Sequence, residues 1–186
     1  MAFIFNSNDI QRSATSKSLA FGGDYLVKIK QADYYGKETV KSLKTYGSEK
    51  FRVVFEVLDG TQQGATFSHF FLDDSGVKEY TPFRYREINA MLAGIGGIQD
   101  GVSFELANVG QFLPEKILAV RVEEFKKRVL DNGNTVYNPV VSNFGEPIQK
   151  SVPNENNPRP KMEKKEDKEI TLDDTPDFND LTNPFN

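Results

Sequence analysis

Lysines and tyrosines are interleaved through residues 34–52, YYGKETVKSLKTYGSEKFR, in a pattern that could grip a nucleic acid. From Gly36 to Arg52, the bases Lys37, Lys41, Lys44, Lys50 and Arg52 outnumber Glu38 and Glu49, a local charge of +3. Tyr34, Tyr35, Tyr46 and Phe51 lie among them. Lysine neutralises phosphate and a tyrosine face accepts a stacked base, the combination used in sequence-tolerant single-strand binding. Lys28 and Lys30 extend the basic track onto a neighbouring strand, and Lys126, Lys127 and Arg128 make a second cluster. Phe70 and Tyr137 are further stacking candidates. The plainer alternative is that lysine-rich loops keep a protein soluble and that strand tyrosines pack. A glycan could also stack on these rings, but it would not need the basic track.

Catalytic chemistry finds little support. The chain has no cysteine, which removes disulfides, thiolate metal sites and cysteine nucleophiles. Its one histidine, His69, shares a strand face with Phe67 and Phe71 and reads as a packed or groove-lining residue. Asp73 and Asp74 sit where a strand runs into a turn, the usual setting of solvated acids rather than metal ligands. Gly94, Gly96 and Gly97 resemble a phosphate-cradling loop but stand at a helix end, where glycine caps. No serine or lysine lies in a nucleophile motif. The expectation is a non-enzyme with no cofactor and no metal.

Charge divides the chain. Residues 1–150 balance 18 bases against 18 acids, and residues 151–169 balance five against five. The net −4 therefore comes from Asp173, Asp174, Asp177 and Asp180 in the last seventeen residues. These aspartates accompany Phe178, Pro184 and Phe185, a pattern suited to docking in a basic-rimmed apolar pocket of a partner protein. The same acids could compete for the chain's own basic groove. Residues 151–169, rich in Pro, Asn, Lys and Glu, bury too little to order themselves and read as a flexible linker. The organisation expected is a domain over 1–150, a linker over 151–169 and a disordered acidic tail over 170–186. The apolar runs are too short to cross a membrane, and the opening MAFIFNSNDIQRS lacks a secretory pattern, so the default location is cytosolic.

The elements that must hold these residues are mainly strands. Tyr25, Val27 and Ile29 alternate, as do Phe51, Val53, Phe55 and Val57, then Phe67, His69 and Phe71. The period then changes. Thr81-Pro82 looks like a helix start, and Ile88, Met91, Leu92 and Ile95 follow at helical spacing. Leu118, Val120 and Val122 mark a fourth strand, and the Asp131–Asn134 turn folds a fifth back on it. Three strands, a helix and two strands are what a five-stranded OB-like Greek-key barrel requires, although a small α+β sheet or a sandwich also fits.

Stretches such as GDYLVKIKQADYYGK, FRVVFEVLDGTQQGATFSHFFL, FRYREINAMLAGIGG and ILAVRVEEFKKRVLDNGNTVYNPVVSNF, within about residues 20–145, resemble small phage single-stranded DNA-binding proteins of Gram-positive hosts. The tip NDLTNPFN resembles the acidic, Pro-Phe-terminated tail of bacterial single-strand binders, although Asn186 follows Phe185 here. The resemblance implies an OB-fold domain that protects single-stranded DNA during phage DNA replication and recombination in the host cytoplasm. It also implies a tail that recruits replication or recombination proteins. Such binders often form homo-oligomers, but the sequence marks no interface. The competing expectation is a protein-interaction or virion-assembly module with no nucleic-acid role.

Overall fold

The computed structural model describes residues 17–163. Its strands are β1 (Lys17–Ser18), β2 (Phe21–Lys37), β3 (Glu49–Val57), β4 (Ala65–Asp73), β5 (Ile117–Val129), β6 (Thr135–Gly145) and β7 (Val152–Pro158). Helix α1 (Tyr85–Ile95) and the single turn α2 (Val109–Phe112) lie between β4 and β5. The strands form one curled mixed sheet, a half-barrel, in the order β1-β4-β3-β2-β5-β6 with β7 on β2. Only β1 with β4 is parallel; the other pairings are antiparallel.

Period-two alternation turns one apolar row per strand inward: Tyr25, Val27 and Ile29; Phe51, Val53, Phe55 and Val57; Leu118, Val120 and Val122. Helix α1 covers the open end of this core with Ile88, Met91 and Leu92. Among the described residues no strand pairing joins β4 to β6. The seam is bridged by side chains instead, with Phe144 of β6 5.3 Å from Phe71 and 6.3 Å from Phe55. Phe71 also stacks on Phe51 at 5.0 Å, so its truncation should cost about 3–5 kcal/mol.

Several local expectations are corrected. The basic stretch from Tyr34 to Arg52 is only partly a loop: Tyr34, Tyr35 and Lys37 lie on β2 and Lys50 and Arg52 on β3, with residues 38–48 between the strands. Bulges at Ile29–Gln31 and Tyr34–Gly36 interrupt the alternation and disguise the strand. The helix starts at Tyr85 rather than at Thr81-Pro82. Asp74 is buried, not solvated, and its carboxylate accepts the backbone N–H groups of Phe83, Arg84 and Tyr85 at 3.0–3.2 Å and the Tyr80 hydroxyl at 3.0 Å. It caps α1 from outside the helix. Gly94 lies inside α1, where a Cβ would come within 2.7 Å of the Gly145 carbonyl oxygen, so it serves close helix–strand packing rather than termination.

The expected linker is ordered over its first part. Residues 152–158 form β7, paired with β2 at Phe21–Asp24. Composition missed this because the attachment is made by backbone and polar groups rather than by apolar burial. Ser151 donates its hydroxyl to Asp59 and accepts the Leu26 N–H at 2.9 Å, and Asn157 donates to the Glu123 carbonyl at 2.6 Å. Gly23, at φ +137°, makes the approach possible: a Cβ there would lie 2.4 Å from the Val152 carbonyl oxygen.

Candidate functional site

The open seam between β4 and β6 is a cleft of about 620 Å³. Thr66, Ser68 and Phe70 of β4 form one wall and Asn138, Pro139 and Val140 of β6 the other. Four arginines line it: Arg52 on β3, Arg84 before α1, Arg128 on β5 and Arg159 after β7. Arg52 is already held by Asp33 at 2.8 Å, although its buried Nε has no hydrogen-bond partner among the described residues. The Gln31 amide first, and then Arg52, keep the Asp33 carboxyl below the usual carboxylate range. Arg84, Arg128 and Arg159 make no ion pair among the described residues. Burial lowers the Arg159 guanidinium somewhat from its ordinary value, while its Nε donates to the Tyr137 carbonyl at 2.7 Å. Arginines that line one concavity and make no ion pair among the described residues are a good match for phosphate oxygens.

His69 lines the cleft as a packed, groove-lining residue, its side chain 18% exposed. Its ring meets Phe71 edge-on at 4.8 Å, and its Nε2 lies 3.2 Å from Glu87 of α1. The hydrogen bond to His69 holds the Glu87 carboxyl below its ordinary value. Aromatic surface stands at the mouth. Phe70 is 46% exposed and Tyr35 51% exposed, and their rings meet at 5.6 Å in a T-shaped pair on the outer face of the sheet.

The other expected contact residues divide by what surrounds them. Tyr34 packs against the core, and burial followed by the neighbouring Glu49 raises its hydroxyl above its ordinary value, so it is not placed with the solvent-facing rings. Lys28, Lys30 and Lys37 are paired with Glu115, Glu56 and Glu49 at 3.2, 3.4 and 3.5 Å. Lys41, Lys44 and Tyr46 are exposed in the loop over residues 38–48, and Lys50 shares the outer side of β3 with Arg52. On the β5–β6 hairpin, Lys126 and Arg128 are exposed, whereas Lys127 lies 3.5 Å from Glu163. Tyr137 donates its hydroxyl to the same carboxylate at 2.6 Å, which raises the phenol and lowers Glu163. Asp173, Asp174, Asp177, Phe178, Asp180, Pro184 and Phe185 lie outside the described residues.

Sequence reasoning missed Arg84 and Arg159. Arg159 sat in the presumed linker, and the only signal was its place between Pro158 and Pro160, a stiff setting for a single base. A second hollow, about 680 Å³ beside β7, makes a useful contrast. There Arg121 is bound by both oxygens of Asp24 at 2.7 and 2.9 Å, so its charge is already answered. Compared with known proteins, the chain matches no family model and no curated sequence. Among the described residues no helix is long and apolar enough to cross a membrane.

Proposed function

We propose that this chain binds single-stranded nucleic acid, DNA in the first instance, without strong sequence preference. The strand would run along the outer face of β3 and β4, between loop 38–48 and the β5–β6 hairpin. The observation that carries this is the β4–β6 cleft, where three arginines that make no ion pair among the described residues line the same concavity as Phe70, the partner of Tyr35 in an exposed ring pair. Cations track the backbone and rings take bases, and neither reads sequence. The strand order β4-β3-β2-β5-β6, with α1 between β4 and β5, supports an OB-type barrel. In that fold the corresponding sheet face and the two flanking loops hold oligonucleotides. The acidic tail with Phe178 and Phe185 is the proposed element for recruiting replication or recombination proteins.

Titrating labelled oligo-dT across a salt series tests the core of this. Affinity should fall on a log–log plot with a slope of roughly −0.7 per phosphate neutralised, so about −2 from Arg84, Arg128 and Arg159 alone. Equal affinity for duplex, or binding indifferent to salt, would eliminate the proposal in favour of a protein-interaction role. A parallel series with oligo-rU measures the preference for DNA over RNA.

A further inference from the structure

Loop 38–48 carries a second feature that the lysines alone do not explain. Val40, Leu43 and Tyr46 are 50%, 47% and 40% exposed, three large apolar side chains within seven residues. The loop holds them in a defined backbone. Leu43 N–H bonds the Val40 carbonyl at 3.1 Å and Tyr46 N–H bonds the Leu43 carbonyl at 3.0 Å, two turns joined end to end. The base of the loop is closed by Glu38 N–H to Ser48 O and Gly47 N–H to Glu38 O, both at 2.9 Å. The Glu38 carboxylate is engaged by the Val40 N–H at 3.0 Å. Such a preformed loop has less to order on binding.

The spacing has a consequence for bases. In a turn closed by such a bond the end Cα atoms lie under about 7 Å apart, so Val40, Leu43 and Tyr46 follow one another in short, regular steps. Exposed apolar side chains at short steps suit entry between neighbouring bases. Lys41 and Lys44 occupy the same two turns, are exposed, and make no ion pair among the described residues, so the row is flanked by phosphate-seeking charge. Insertion of apolar side chains between bases is an established way for proteins to unstack nucleic acid. The loop joins β2 to β3, the two strands that carry Tyr35, Lys50 and the cleft residue Arg52.

We infer that Val40, Leu43 and Tyr46 form a wedge that separates stacked bases of a single strand as it enters the cleft. This rests on the single-strand reading above. The test uses the full chain and its Val40→Ser/Leu43→Ser variant, with oligo-dT, which stacks weakly, and oligo-dA carrying one 2-aminopurine, which stacks strongly. The wild-type chain should bind both and relieve the stacking quench of 2-aminopurine. The variant should keep the wild-type melting temperature and bind oligo-dT within about twofold, yet bind oligo-dA about tenfold more weakly and leave the probe quenched. Wild-type affinity for oligo-dA in the variant would overturn the wedge, as would equal weakening for both oligomers. A variant that binds normally but loses self-association in sedimentation would assign the row to contacts between copies, and also overturns it. Failure of the wild-type chain to bind either oligomer would instead remove the single-strand reading itself.

Discussion

Among the cations of this half-barrel, two groups differ in what already holds them. Lys28, Lys30 and Lys37 along β2 each stand within 3.5 Å of a carboxylate, Glu115, Glu56 or Glu49. Arg84, Arg128 and Arg159 at the β4–β6 seam come from three distant stretches of chain and have no such partner among the described residues. The β2 row is the one a sequence displays, and the seam is the one the fold assembles. A cation count therefore measures opportunity for phosphate binding, and pairing decides how much of it is left.

The largest effect should come from emptying the seam. Changing Arg84, Arg128 and Arg159 together to Gln is expected to weaken oligo-dT binding on the order of a thousandfold, about 4 kcal/mol, because three charge-assisted contacts are lost. The salt slope should flatten by about 2. Isothermal titration at two salt concentrations checks both, and a loss below tenfold with an unchanged slope would move the binding surface elsewhere.

Next is the group that positions the seam's helical wall. Asp74 gathers the N-terminal N–H groups of α1, next to Arg84 and one turn from Glu87. Asp74→Ala should destabilise the fold by about 3 kcal/mol, since a buried carboxylate cap and its partners are lost together. Burial by itself would raise this carboxyl, but the N–H groups of Tyr85, Phe83 and Arg84 and the Tyr80 hydroxyl outweigh it and hold it below the ordinary value. Its contribution is therefore complete above the unfolded carboxyl value of about 3.9 and is lost as pH falls from there through the lower folded value. Chemical denaturation of wild type and variant between pH 7 and 2.5 should show the two curves converging at the acid end. Parallel curves would assign the acid sensitivity to other groups.

Phe70→Ala comes third. An exposed ring that stacks a base contributes about 1–3 kcal/mol, roughly five- to 150-fold in affinity, whereas an idle surface ring contributes nothing. Fluorescence anisotropy with oligo-dT separates those cases, and Tyr35→Phe should leave affinity nearly unchanged because the stacking face survives.

Much of the sheet was legible because alternation is a local property: the inward rows of β2 to β5 and the hairpin at Asp131–Asn134 follow directly from it. The site was legible only in part. Phe70 falls out of the alternation of β4, and Arg52 and Arg128 stand in visible basic clusters. Arg84 and Arg159 reach the seam only through tertiary placement, which no period encodes. The carboxylates that answer Lys28 and Lys30 are 87 and 26 positions away in sequence (Glu115 and Glu56), so their pairing could not be read from local charge. Strand β7 was hidden because its attachment relies on main-chain bonding at Gly22 and Gly23 and on Asp59 rather than on an apolar face.

The smallest effect tests the paired row from the other side. If Lys28 and Lys30 are silent because Glu115 and Glu56 hold them, removing the carboxylates should release them. Both pairs are partly exposed, so each is worth little to stability, well under about 1 kcal/mol. Glu56→Gln/Glu115→Gln should therefore leave the melting temperature close to wild type. It also removes two negative charges and leaves Lys28 and Lys30 unanswered, on the same sheet as Arg52. At low salt the variant is expected to bind oligo-dT about two- to threefold more tightly, a gain that should fade near physiological ionic strength, where screening reaches within about 8 Å. Lys28→Ala/Lys30→Ala in the wild-type background should change affinity by less than about twofold. A large loss from the lysine substitutions, or no gain from the glutamate ones at any salt, would mean that pairing does not separate the two sets of cations.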